Sequence, residues 1–187
     1  LSGYNKKSLV SRFNAGETVV PDSLFIDMYI RSCEIYETTG AVVDVASAPL
    51  FDIWGFGFKS GEMPDDDLVA QIVASSGMKR LRPDMQQLLS DEGELMPSSL
   101  LVDGLADKTL PKLNYNAIAQ GYSCDVVARY LYSLGVKDMM VDIGEIYCDG
   151  LNPSGNRWAI GIDSPVDGNN TPGENLQAIF RVPEGPH

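Results

Sequence analysis

Histidine is nearly missing from the sequence, since the one example, His187, is the last residue. A His–Asp pair inside the chain is thereby excluded, and with it a serine or cysteine nucleophile activated by imidazole. Cysteine is scarce as well. Cys33, Cys124 and Cys148 are odd in number and widely spaced, which gives no disulfide framework and no zinc pattern. They read as small, mostly buried apolar residues. Positive charge is in the minority, with 14 Lys and Arg against 26 Asp and Glu and a formal net charge of −12. So acidic a surface repels nucleic acid and anionic lipid, and neither is expected as a partner. A phosphate ligand would need local help from backbone N–H groups, a metal ion or a few cations. No apolar run reaches transmembrane length. Leu1-Ser2-Gly3-Tyr4 lacks the basic start and apolar stretch of a signal peptide. The P-loop, the G-x-G-x-x-G fingerprint and the G-x-S-x-G elbow are also missing.

What is present suits a folded core, because 44% of the 187 residues are hydrophobic. We expect a single domain over 1–187, trimmed at both ends, because the chain opens without Met and stops abruptly at Pro186-His187. Phe25, Ile26, Tyr29, Ile30, Cys33 and Tyr36 recur at helical spacing between Pro21-Asp22 and Gly40. Asp22 or Ser23 can cap that helix. Val42-Val43-Asp44-Val45 reads as a buried strand. Pro64-Asp65-Asp66-Asp67 opens a second helix that turns Leu68, Val69, Ile72 and Val73 inward and ends at Gly77. Residues 79–113 read as short strands and turns. A third helix is expected from Ala117 to Leu134, striped by Tyr122, Val126, Tyr130 and Leu134. Met139–Ile143 and Glu145–Cys148 read as a hairpin turned at Gly144. Two more strands, Trp158–Ile162 and Leu176–Val182, flank a polar loop. Three helices separated by blocks of strands predict an α+β fold with mixed sheets.

Four segments carry chemical potential. Leu113 to Asp125 places small and polar residues where loop becomes helix, with Asn116 as the expected N-cap. A helix start offers unpaired N–H groups and partial positive charge, which suits a phosphate. Gly121 sits in the first turns at a cost of roughly 1 kcal/mol relative to Ala, tolerable if a backbone or ligand comes close. The other reading is an ordinary capped helix. Second, Gly40 to Asp44 with Trp54-Gly55-Phe56-Gly57 suits either the floor and walls of a flat aromatic pocket or plain core and turn. Third, Asp142 and Glu145 flank a tight turn and could hold a cation or stand as surface acids. Fourth, Arg12 suits either a phosphate or a neighbouring carboxylate.

Together these segments resemble the ApbE family of FAD:protein FMN transferases. The opening Leu1-Ser2-Gly3-Tyr4, Ser8 and Ser11-Arg12-Phe13-Asn14 is similar to "L-S-x-Y…S…R-x-N". Thr39 to Asp44, Pro49-Leu50 and Trp54 to Gly57 resemble "D-G-A-x-D-I-x-x-x-P-L…W-G-F". Asn114 to Asp125 resembles "D-x-x-A-I-A-K-G-Y-x-x-D". Val141 to Ile146 resembles "V-D-I-G-G-E-I", and Trp158 to Pro165 resembles "W-x-I-G-I-x-x-P". Five weak motifs in the right order span nearly the whole chain.

The resemblance implies binding of FAD and Mg²⁺, cleavage of the pyrophosphate, and transfer of FMN to a Thr or Ser hydroxyl of an acceptor protein. The acceptor would be a subunit of a membrane redox complex, and the enzyme would be extracytoplasmic and lipid-anchored. Tyr4, Ala41, Val42, Val43, Asn114 and Gln120 stand at positions that contact FAD, and Ala117 at one whose backbone oxygen binds Mg²⁺. Two alternatives use the same pocket, namely a flavin carrier and a hydrolase giving FMN and AMP. Asn114 replaces the usual Asp, Gln120 a common Lys or Glu, and Gly144 a Gly-Gly pair. The stretch from Gly40 to Asp44 is one residue longer than usual. The family's later "T-S-G-x-Y" and "H-x-I-D-P" segments, with Asp and Thr ligands for the metal, have no counterpart here.

Overall fold

A computed structural model describes residues 1–56, 63–90 and 92–183. Its contacts separate into two compact units, Leu1–Ala119 and Gln120–His187.

The first unit opens with α1, Leu9–Asn14, whose start is fixed by the Ser8 hydroxyl accepting the Ser11 N–H at 3.1 Å. Helix α2, Ser23–Thr38, forms where its apolar spacing predicts, and Asp22 is its N-cap, accepting from the Phe25 N–H at 2.8 Å. It ends in a Schellman motif. Gly40, at φ 60°, donates to Glu37, and Ala41 donates to Tyr36 at 2.8 Å. The inward face of α2 buries Phe25, Met28 and Tyr29, and Val10, Phe13, Leu113 and Tyr115 are buried in the same unit. Phe13 and Tyr115 meet the Phe25 ring at centroid distances of 5.9 and 6.4 Å. Burying aromatic side chains of this size supplies much of a small core's stability.

The strand expected at Val42–Val45 does not form. Gly40 and Ala41 both take positive φ, and the residues after them fold into turns around Asp44. The Asp44 carboxylate accepts from the N–H groups of Ala46 at 2.9 Å and Met78 at 3.0 Å, so the backbone is committed to a loop. Helix α3, Ala48–Ile53, follows with Pro49 in its first turn. Helix α4, Asp66–Ser75, is capped by Asp65, which accepts from Leu68 N–H at 2.7 Å. Its expected inner face is only partly covered, since Val69 and Ile72 are half-buried whereas Leu68 and Val73 are exposed.

The strands expected in 79–113 are replaced by 3₁₀ turns at Met78–Arg80, Gln86–Leu88 and Pro97–Leu100. Only the isolated bridges Val19–Leu95 and Leu81–Leu101 join extended backbone among the described residues here. Pro83, Pro97 and Pro111 remove donors and break any longer ladder.

Helix α5, Ala119–Ser133, leads into the second unit. It starts later than expected, because Asn116 lies in a preceding turn closed by the Ala119 N–H donating to Tyr115 at 2.8 Å. Asn116 is therefore not the N-cap. Tyr122, Cys124 and Ala128 are buried, whereas Tyr130 and Leu134 face solvent. Steps of four residues drift about 40° each, so the expected stripe rotates off the buried face within three steps. Strands β1, Met139–Asp142, and β2, Ile146–Asp149, pair antiparallel with Met140 opposite Cys148. Strands β3, Ala159–Asp163, and β4, Leu176–Arg181, form the second antiparallel pair. The architecture is α+β with small sheets, and all three cysteines are free.

Candidate functional site

Three separated motif segments converge in the first unit. The hydroxyl of Ser8 donates to the Ser2 carbonyl at 2.7 Å, and that of Ser11 to the Gly3 carbonyl at 3.2 Å. These bonds stitch the opening residues onto α1. At the end of α1, Asn14 clamps Leu113 from both sides. Its Nδ2 donates to the Leu113 carbonyl and its Oδ1 accepts the Leu113 N–H, each at 2.8 Å across 99 residues. The next residue, Asn114, donates its N–H to the Val45 carbonyl at 2.7 Å, which ties in the loop after α2. Its side-chain Oδ1 accepts the Asn116 N–H at 2.9 Å, and Asn116 Nδ2 donates to the Tyr4 hydroxyl at 3.2 Å. The Asn residues of these motifs therefore act first as fasteners that hold loops where no ladder exists.

The result is a cavity of about 330 Å³. That lies at the lower end of the range for small-molecule pockets, about 300–1,000 Å³. Its lining residues include Tyr4, Asn114 and Asn116, the aromatic Phe51 and Phe56, and the basic Lys6 and Lys112. Tyr4 and Asn114, both expected from sequence, are thus brought together. Ala41, Val42 and Val43 lie in the turn after α2 and are not among the cavity's lining residues, nor is Ala117. Ala41 is nonetheless unusual, being the one described non-glycine residue with positive φ, at 69°. Trp54 is partly exposed outside the lining, and Gly57 of the same motif falls outside the described residues.

Gln120 belongs to the second unit. Its Nε2 donates to the Ile143 carbonyl at 3.3 Å and lies against Gly144, which turns the β1–β2 hairpin at φ 86°. Asp142 is occupied by the same turn, accepting the Gly144 N–H at 3.0 Å, and the Glu145 carbonyl accepts from Cys124 Sγ. The Asp142 carboxylate is therefore engaged in the turn, and Glu145 takes part in it through its backbone. Arg12 is settled too, pairing with Glu17 at 2.8 Å. A Cβ built on Gly121 meets nothing within 4 Å, so no backbone of the described residues presses on it.

The metal question can be put to the donor set. Ala117 offers one carbonyl oxygen, and no three His, Cys, Asp or Glu side chains converge among the described residues. A magnesium site asks for near-octahedral oxygen donors, normally with one or two carboxylates. The described residues do not make such a site.

Sequence reasoning missed Asp44, Lys6 and Lys112. Asp44 reads in the sequence as a strand and motif residue, whereas its carboxylate organises the loop. The lysines are exposed residues between motif positions and carry no periodic signal.

Residues 1–184 match a family model described as the ApbE family. A curated FAD:protein FMN transferase from Vibrio cholerae serotype O1 is 30% identical over 171 residues, covering 88% of this chain and 46% of its own length. The solved flavin transferase ApbE from Vibrio cholerae superposes with a TM-score of 0.68 at 29% identity, covering 88% of this chain and 50% of that one. An ApbE protein structure from Thermotoga maritima gives 0.71 at 19% identity over 98% and 55% of the two chains, a likeness of fold. The chain spans about half the length of the curated relatives it matches.

Proposed function

The chain belongs to the ApbE family, and from that premise we propose that the protein transfers FMN from FAD to a Thr or Ser hydroxyl of an acceptor protein. One observation carries this reading. Residues from three family-like segments are fastened to one another around a single cavity, through Asn14 to Leu113, Val45 to Asn114 and Asn116 to Tyr4. The cavity holds aromatic faces for a ring and polar groups for a phosphate or sugar.

In the reaction, the acceptor oxygen forms a bond to the FMN phosphorus, the pyrophosphate bond breaks, and AMP leaves. The hydroxyl proton passes to solvent or to the departing phosphate. Such transfers depend on positioning and charge neutralisation more than on covalent catalysis. The residues of this chain would bind and orient the nucleotide. Dependence on Mg²⁺ is part of the proposal, as are an acceptor from a membrane redox complex and an extracytoplasmic, lipid-anchored setting. All three rest on the family resemblance.

The test is incubation of the protein with FAD, Mg²⁺ and a Thr-containing acceptor peptide, followed by mass spectrometry. Peptide carrying FMN, lost on adding EDTA, is the expected product. Free FMN with AMP identifies the hydrolase alternative. Bound but unchanged FAD identifies a carrier and overturns transfer.

A further inference from the structure

We propose that Lys6 and Lys112 hold the phosphates of the nucleotide in the first-unit cavity, an assignment that rests on the FAD reading above. The argument begins with charge. At −12 the protein as a whole repels a dinucleotide, yet at physiological salt a field is felt over only about 8 Å. What the phosphate meets is therefore set by the groups lining the cavity. Those are two lysines against one acid, Asp52, a local reversal of the global balance.

Neither lysine forms an ion pair among the described residues. The ion pairs among the described residues belong to Arg12, Arg80 and Arg82, with Glu17, Asp107 and Asp103. Lys6 and Lys112 donate to no carboxylate there, so their charges are available to a ligand. Their backbones, by contrast, are held. Lys112 precedes Leu113, which Asn14 clamps on both sides. Lys6 lies between the opening residues and Ser8, which the Ser8 and Ser11 hydroxyls bind to Ser2 and Gly3. A flexible four-carbon stem on a fixed backbone delivers a movable point charge, suited to phosphate oxygens whose exact position the loop does not dictate. Phe51 and Phe56 in the same lining supply apolar faces for the attached ring. The ligand class is accordingly an aromatic nucleoside bearing phosphate.

The experiment compares the full chain with K6Q, K112Q and the double variant, by flavin fluorescence, against riboflavin, FMN and FAD. Riboflavin has the ring and no phosphate, and thus isolates the charge contribution. Each substitution is expected to weaken FAD and FMN by roughly three- to tenfold, as for partly exposed charged hydrogen bonds. Riboflavin binding should stay unchanged, and the double variant should lose most of the salt dependence. K6R and K112R should retain affinity. Unchanged FAD affinity in the double variant overturns the assignment alone, as does an equal loss for riboflavin, which would mean altered cavity shape. Failure of the unaltered protein to bind any of the three flavins overturns the FAD reading beneath it. Both lysines are exposed, and a thermal melt of each variant confirms that the fold is kept.

Discussion

At the scale of single residues, two buried tyrosines make opposite bargains. Tyr29 donates its hydroxyl to the Arg82 carbonyl at 2.5 Å, which ties α2 to the turn beyond α4. Tyr115 is 2% exposed and its hydroxyl has no hydrogen-bond partner among the described residues. An unpartnered buried hydroxyl forfeits its hydration for nothing, whereas a partnered one contributes about 1 kcal/mol net. Tyr115→Phe is therefore expected to leave stability unchanged or raise it, with Tyr29→Phe losing about 1 kcal/mol or more through the orphaned Arg82 carbonyl. Urea titrations of the two variants check the contrast. A loss from Tyr115→Phe as large as that from Tyr29→Phe would mean that a water or a moving partner satisfies the hydroxyl.

At the scale of elements, what was legible had a local signal. Helix α2 was announced by Asp22 and Gly40, and both hairpins by short apolar runs around glycine or polar turns. Val42–Val45 misled because three β-branched valines around Asp44 say nothing about a ladder partner. The loop is decided instead by Asp44 bonding to Met78, which no local pattern reveals. The site was legible for the same reason only in part. Tyr4 and Asn114 carry motif letters, whereas the closure that joins them runs through Asn14 across 99 residues. Gly121 shows how a correct letter can acquire a sharper meaning. Open space around it removes backbone packing as the reason for glycine in α5. Gly121→Ala is expected to stabilise the protein by about 1 kcal/mol. A urea titration of the variant checks this, and a loss of stability would show that the added methyl meets a neighbour.

For the molecule as a whole, the acidic composition and the buried phenols set the pH range of the fold. Burial raises the Tyr29 and Tyr115 hydroxyls above their ordinary value of 10.0. Burial, with help from Glu37, pushes the Cys33 thiol from 9.0 to about 11. Each group is neutral when protonated, so the folded chain keeps protons that the unfolded chain releases. Stability then falls as pH rises. The contribution is complete below pH 9.0, where the unfolded thiol begins to ionise, and declines until Cys33 titrates in the fold near 11. The tyrosines extend the decline from 10.0 upward. Ionisation of these groups also adds negative charge to a chain already at −12, which acts in the same direction. Thermal melts at constant ionic strength, from about pH 8 to about pH 10.5, should show a midpoint that is flat at first and then drops. Cys33→Ser should delay the onset, and added salt should soften only the part due to net charge. A midpoint that holds steady through the whole range would show that the thiol and phenols ionise without cost and are not buried as described.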